Sequence, residues 1–187
     1  GDIPAHWNIL RLKDISRIKK GEAFDESLSS PDGIYPYING GMKPSDWSNY
    51  FNTNENTIAV SEGGASAGYT QFMFTKYWAG SHCYKVKPKN KTINNKYVFY
   101  ILKGFEKHLM IEKTGSAMPN LQKTKFINYL VSFVNNVEEQ NQIVNYLDME
   151  VSKIDKKKEI IKKKIELLKE YKQTVIYEAV TGKIEIN

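Results

Sequence analysis

Apolar residues recur in 4-3 alternation through the C-terminal part of the chain: Val144, Leu147, Val151, Ile154, Ile161, Ile165, Leu168, Val175 and Ala179. Only Lys158 and Lys172 interrupt this seam, and both fall at a-type positions. A heptad period sustained this long specifies a helix that needs a second helix along its length. Glu138 to Ala179 would extend ~63 Å at ~1.5 Å per residue. The residues ahead of it would fold into a globule with a radius of gyration of only ~14 Å. Such a globule cannot cover the whole rod, so the seam calls for a partner.

The chain has 187 residues, which leaves room for one globular domain besides the helix. An apolar content of 41% with 12% aromatics is enough for a core. Cys83 has no second cysteine to pair with and reads as a small buried hydrophobe on a strand, which suits a reducing compartment. No apolar run reaches membrane-spanning length, and Gly1-Asp2-Ile3-Pro4 does not resemble a signal peptide. The expectation is a soluble, cytoplasmic protein. Its net charge of +6 is unevenly placed. Residues 1–137 hold 17 Lys/Arg against 11 Asp/Glu, whereas residues 138–187 hold 10 of each. A basic globule on a neutral helix suggests a polyanion for the former and a protein for the latter.

Local patterns outline an α+β domain of short strands and helices with a long C-terminal coiled-coil helix. Leu10–Ile18 reads as a short amphipathic helix stopped by Gly21. Pro31–Pro44 is rich in turn residues and includes Asn39-Gly40-Gly41. Thr57–Ser61 reads as a buried strand leading into the glycine loop Glu62–Gly68. Tyr69–Trp78 and Cys83–Val86 are rich in strand formers. Residues 95–111 return to helical spacing, with Tyr97, Ile101, Phe105 and Leu109 on one face. A second small-residue loop, Thr114–Asn120, precedes a last strand at Leu130–Val134. The expected division is a domain at 1–136, the helix at 137–180 and a C-terminal tail at 181–187, in which Thr181-Gly182 ends the helix and Lys183–Asn187 alternates like a strand.

Catalytic and cofactor signatures are missing. The glycines of Glu62–Gly68 are not spaced G-x-G-x-x-G, and no Walker-type Gly-Lys-Ser/Thr occurs. His6, His82 and His108 are scattered, so no metal site is expected. Glu170-Tyr171-Lys172 lies within the heptads, where Glu and Lys are ordinary solvated residues. A binding protein without a cofactor fits this pattern.

Particular stretches resemble a known family. Ile3-Pro4-Ala5-His6-Trp7 with Leu12-Lys13-Asp14-Ile15 and Gly21, then Val60-Ser61-Glu62-Gly63-Gly64 with Gly68, are similar to a target recognition domain. That domain belongs to the specificity (S) subunit of type I restriction-modification enzymes. Gly115-Ser116-Ala117-Met118-Pro119-Asn120-Leu121 and Glu139-Gln140 with Ile143-Val144 and Leu147-Asp148 resemble the same family. So do Leu167–Lys172 and Ala179–Ile184. The family commonly places Pro-Pro before the Glu-Gln; this chain has Asn135-Asn136. A complete S subunit resembles two such units in tandem, so this sequence looks like half of one, natural or a fragment. The resemblance implies a non-catalytic reader of double-stranded DNA that docks methyltransferase (M) subunits and, indirectly, the restriction (R) subunit. Two other readings stay open: the recognition end of a fused restriction-methyltransferase, and a coiled-coil protein that sequesters M subunits.

Charges beside the seam bear on how the helix pairs. With Val144 at a, the e and g positions hold Asp148, Glu150 and Asp155, then Lys157, Lys162, Lys164 and Lys169. Antiparallel pairing sets acids against bases, whereas parallel pairing stacks Lys158 and Lys172 on their own copies. The expected interface of an antiparallel homodimer is Val144, Leu147, Val151, Ile154, Lys158, Ile161, Ile165, Leu168 and Val175. Such a spacer would separate two recognition domains by at most ~18 base pairs at ~3.4 Å each. An off-seam line, Tyr146, Ile160, Leu167 and Tyr171, would pack on the helix's own domain or dock M. Candidates for DNA contact are Asn39, Lys43, Ser61, Glu62, Gly64, Tyr69, Gln71, Lys76, Lys113 and Ser116, on or beside the small-residue loops where a backbone can approach a groove. Turn geometry explains the glycines equally well, and core packing competes for Tyr69. The run Lys85, Lys87, Lys89 and Lys91 would serve phosphate steering or plain solvation.

Overall fold

The computed structural model describes residues 3–111 and 120–184. The elements are β1 (Asn8–Arg11), α1 (Leu12–Ile15), β2 (Ser16–Lys20), β3 (Tyr35–Ile38), β4 (Asp46–Ser48), β5 (Thr57–Ser61) and β6 (Thr70–Met73). They continue with β7 (Trp78–Ala79), β8 (Cys83–Pro88), α2 (Asn95–Ile111), α3 (Lys123–Ile127), β9 (Leu130–Phe133) and α4 (Val137–Val180). The fold is α+β, as the local patterns require. By packing, the chain divides into two compact units, Gly1–Val144 and Asn145–Asn187.

The first unit is built on a four-stranded antiparallel sheet in the order β2-β8-β5-β6. Side chains alternate between the faces of a strand, so register decides which residues share a row. One face carries the row Ile18, Val86, Ile58 and Phe72. This face joins Leu12, Tyr97, Val98, Leu102, Phe126, Val131 and Phe133 in the larger core. The other face meets Ile38, Tyr77 and Ala79 of a smaller core that also takes Ala59, Met73 and Cys83. Part of that cover is the three-stranded sheet β4-β3-β7. Every residue of β5 is buried because apolar neighbours lie on both faces of the sheet. Burial raises the Cys83 thiol to about 12, so it stays a neutral, inert thiol.

Two local expectations change. Leu10–Ile18 is not one helix: the end of β1, the single turn α1 and the start of β2 replace it. One turn already buries Leu12 and Ile15. Beyond it, Arg17-Ile18-Lys19 alternates with period two and matches Lys85-Val86-Lys87 across the ladder. The turn-rich Pro31–Pro44 stretch contains β3, whose Pro36 and Ile38 are buried. Among the described side chains of α2, Tyr97, Val98, Leu102 and Leu109 are buried, while Ile101 and Phe105 flank that face.

Helix α4 begins inside the first unit. Asn136 caps it, its side-chain oxygen accepting from the backbone N–H groups of Glu138 at 2.8 Å and Glu139 at 3.2 Å. The residue that stands in place of the family's proline thus supplies an N-cap. Gln140 is wholly buried; its side chain donates to the Val134 carbonyl and accepts from the Asn94 N–H, both at 2.8 Å. Glu139 accepts from Trp7 Nε1 at 2.9 Å and bonds His6 at 3.0 Å, and these two contacts hold its carboxyl below the usual range. Val144 is 5% exposed and lies in the larger core. It therefore belongs to the domain's own packing and not to a dimer seam, a correction to the heptad count.

The second unit is helical from Asn145 to Val180. It ends where Gly182, at φ +67°, lets its own N–H bond the Ala179 carbonyl and the Lys183 N–H bond that of Glu178. Most of its seam residues are open to solvent, including Ile154 at 55%, Ile161 at 57% and Leu168 at 57%, while Leu147 and Ala179 are half-buried. Tyr146, Ile160, Leu167 and Tyr171 are exposed as well. Among the described residues no helix is long and apolar enough to cross a membrane.

Replacing Gln140 with Met keeps its bulk but leaves the Asn94 N–H and Val134 carbonyl unpaired. Urea unfolding should show a loss of about 2 kcal/mol. A loss under about 0.5 kcal/mol would contradict the anchoring role given to this amide.

Candidate nucleic-acid interface

Three loops converge where β3, β5 and β7 end. The Gly40 carbonyl accepts from the Ser61 and Ser66 hydroxyls, and Asn39 Oδ1 accepts from the His82 N–H at 3.1 Å. Gly40 has φ +89°, and a Cβ there would stand 2.6 Å from the His82 carbonyl oxygen. Only glycine tolerates this combination. Gln71 Nε2 donates to the Gly41 carbonyl at 3.1 Å. Five candidates, Asn39, Ser61, Glu62, Gly64 and Gln71, thus belong to one loop cluster or its immediate flank.

Within that cluster, Ser61 and Glu62 are not available for base edges. Ser61 is 2% exposed, with its hydroxyl held in the Gly40 contact. Glu62 is 7% exposed and serves as an internal clamp. Its carboxylate accepts from the Tyr84 hydroxyl at 2.8 Å and pairs with Lys20 at 2.8 Å. Its backbone bonds His82 and Leu121. Burial, then the Glu62 carboxylate, push the Tyr84 hydroxyl well above the usual phenol range. A buried carboxylate held by this many partners is committed to internal contacts, and removing one of them would leave charge uncompensated.

Gly64, at φ +73°, is the exposed member of the cluster. Of the remaining candidates, Lys43 is exposed on a loop. Tyr69 lies under Lys103 of α2, whose ammonium sits 4.6 Å from the ring centroid and 2.6 Å from Glu106. Lys76 covers the Phe51 ring at 4.5 Å. Lys113 and Ser116 lie outside the described residues. Among the described residues no cluster of three His, Cys, Asp or Glu side chains is placed to hold a metal.

A basic face that the linear reading scattered is assembled by strand register. Arg17 lies opposite Lys87 and Lys19 opposite Lys85, and all four share the sheet face that also carries Ala59 and Gln71. Together with Phe51, Asn52, Thr53 and Asn54 they line an open cleft of about 410 Å³. Glu22 reaches Lys85 at 3.2 Å. Asn52 is not free for a ligand, since its amide and carbonyl bind the Ala79 backbone at 3.1 and 2.8 Å. The period-two spacing of Arg17/Lys19 and of Lys85/Lys87 was the available signal. It was lost because residues 10–18 read as a helix, which turns neighbouring even-spaced residues apart.

The family model of the type I restriction modification DNA specificity domain matches residues 4–177, and the chain belongs to that family. The Mycoplasma pneumoniae protein S.MpnORF638P, which carries the name of a type I specificity subunit, is 30% identical over 168 residues, covering 89% of this chain and 44% of that protein. The S subunit structure from the M. genitalium type I system superposes with a TM-score of 0.74 at 27% identity, over 80% of this chain and 40% of that one. A type I restriction-modification structure concerned with complex assembly and conformational transition is similar in fold, with a TM-score of 0.77 at 20% identity over 96% of this chain and 47% of that one. The chain therefore spans somewhat under half the length of these relatives.

Glu62→Gln should lower stability by about 1–3 kcal/mol, because the Lys20 ammonium loses its counter-charge and Tyr84 a strong acceptor. The thermal midpoint should fall, while DNA affinity of the still-folded chain stays within about twofold. A loss of affinity confined to one DNA sequence, with the midpoint unchanged, would return Glu62 to the reading role.

Proposed function

We propose that this chain reads one half of a bipartite DNA target for a type I restriction-modification system and docks its methyltransferase subunits, with catalysis left to those partners. The restriction subunit would join through them, in the cytoplasm. The observation that carries the proposal is the family match, which runs through the globule and most of the helix together. The excess positive charge of residues 1–137 supports a polyanion partner for the globule.

The second half of the proposal is an antiparallel homodimer through residues 147–175. The exposed seam matches itself when reversed: Val151 would face Leu168, Ile154 would face Ile165, and Lys158 would face Ile161. In that register the e line sets Asp148 against Lys169 and Asp155 against Lys162, each twice by symmetry. The g line sets Lys157 against Lys164, one repulsive pair against two attractive ones. Exposed pairs of this kind are worth about 0.2–1 kcal/mol each, so they select orientation while apolar burial supplies the affinity.

Two measurements test the reading. Fluorescence anisotropy of the chain assembled with its M subunits should show duplex binding that weakens steeply with salt and prefers one sequence. Absent or salt-insensitive binding would contradict DNA recognition. Ile161→Glu with Ile165→Glu, both at exposed positions, should leave the first unit folded and shift sedimentation from dimer to monomer. A wild-type chain that is monomeric at micromolar concentration would contradict the pairing.

A further inference from the structure

We infer that the β2–β8 edge of the four-stranded sheet, through exposed Arg17, Lys19 and Lys87 with the less exposed Lys85 beside them, grips the phosphate backbone of duplex DNA and positions the neighbouring loop cluster over the bases. This inference rests on the proposed function and adds the surface by which it is carried out. Three observations point to a polyanion. First, the register sets like charge directly opposite like charge twice, Arg17 on Lys87 and Lys19 on Lys85, an arrangement that costs stability in a sheet unless an anion relieves it. Second, the only acidic side chain bonded to these four, among the described residues, is Glu22, which reaches Lys85; Arg17, Lys19 and Lys87 are exposed. Third, the cations line an open cleft and not a closed pocket; of its two asparagines, Asn52 is already committed to the Ala79 backbone and Asn54 is exposed. A small phosphate ester would need converging donors; an extended backbone needs only a row of charge.

The same face carries Gln71, beside the loop that holds Asn39, Gly40 and Gly41. Phosphates held on the strands would therefore bring a groove edge toward Asn39, Lys43 and Gln71. The cations supply affinity without sequence preference, and the loop side chains supply the preference.

The test uses the full chain assembled with its M subunits and a duplex carrying the mapped target. Two variants are compared with wild type: all four cations replaced by Gln, and Arg17→Glu with Lys19→Glu, which places carboxylates opposite Lys87 and Lys85. The Gln variant should bind at least about tenfold more weakly near 0.1 M salt, with the log–log salt slope reduced by about 3, while the ratio of target to non-target affinity stays unchanged. The double Glu variant removes the same four units of charge and should bind about as weakly as the Gln variant, yet melt at the same temperature as wild type or higher, because repulsive cross-strand pairs become attractive. Wild-type affinity and slope in the Gln variant would overturn the inference and leave DNA recognition by the chain intact. A lowered melting temperature in both variants would overturn it too, by making the cations structural. No DNA binding by the wild-type assembly would remove the functional reading and this inference with it.

Discussion

An uncovered apolar seam on a single helix is the constraint around which this chain is organised. Residues 145–180 have Val151, Ile154, Ile161, Ile165, Leu168 and Val175 at heptad spacing, and all are exposed. The stabilising contacts within the helix are small: the i,i+3 pairs Glu150–Lys153, Asp155–Lys158 and Glu166–Lys169 contribute about 0.2–0.5 kcal/mol each. Helical stability in water comes mainly from burying one face. A second helix of the same kind would bury this one, and the charge pattern favours a reversed copy.

The start of the helix is secured differently. Asn136 caps it, Glu139 ties it to His6 and Trp7, and Gln140 and Val144 enter the domain's interior. Two turns thus belong to the globule before the seam opens. The division after Val144, which gives the first eight residues of the expected coiled coil to the first unit, follows from the same packing. A buried amide such as Gln140 is a demanding anchor, since both its hydrogen bonds must be made or the site destabilises. It ties the start of the helix to Val134, just past β9, and to Asn94, just before α2.

Long periodic segments were readable from residues alone. The heptads place a helix at 137–180, and α2 and β5 coincide with the spacing at 95–111 and 57–61. Short segments were not, because tertiary pairing decides them. Leu10–Ile18 satisfies a helical pattern, yet Ile18 gains more by joining Val86, Ile58 and Phe72 in a sheet row. The pairing of β1 with β9 joins residues more than a hundred positions apart, which no local pattern carries. For the candidate site the outcome divides in the same way. Loops rich in small residues did converge around Gly40, but Ser61 and Glu62 point inward, where their hydrogen bonds hold the loops together. The cations most open to a ligand owe their grouping to strand register, which the linear sequence conceals.

Orientation of the paired helices is the claim on which the spacing of two recognition domains depends, and interlabel distances measure it directly. Spin labels placed singly at Lys156, Lys163 and Glu170, all on the helix face away from the seam, give one distance per dimer. Antiparallel pairing about the midpoint between residues 159 and 160 predicts axial offsets of ~10 Å at positions 156 and 163, rising to ~31 Å at 170. Equal short distances at all three positions would mean a parallel pair, and no dipolar coupling at any of them would mean that this chain does not pair with its own copy.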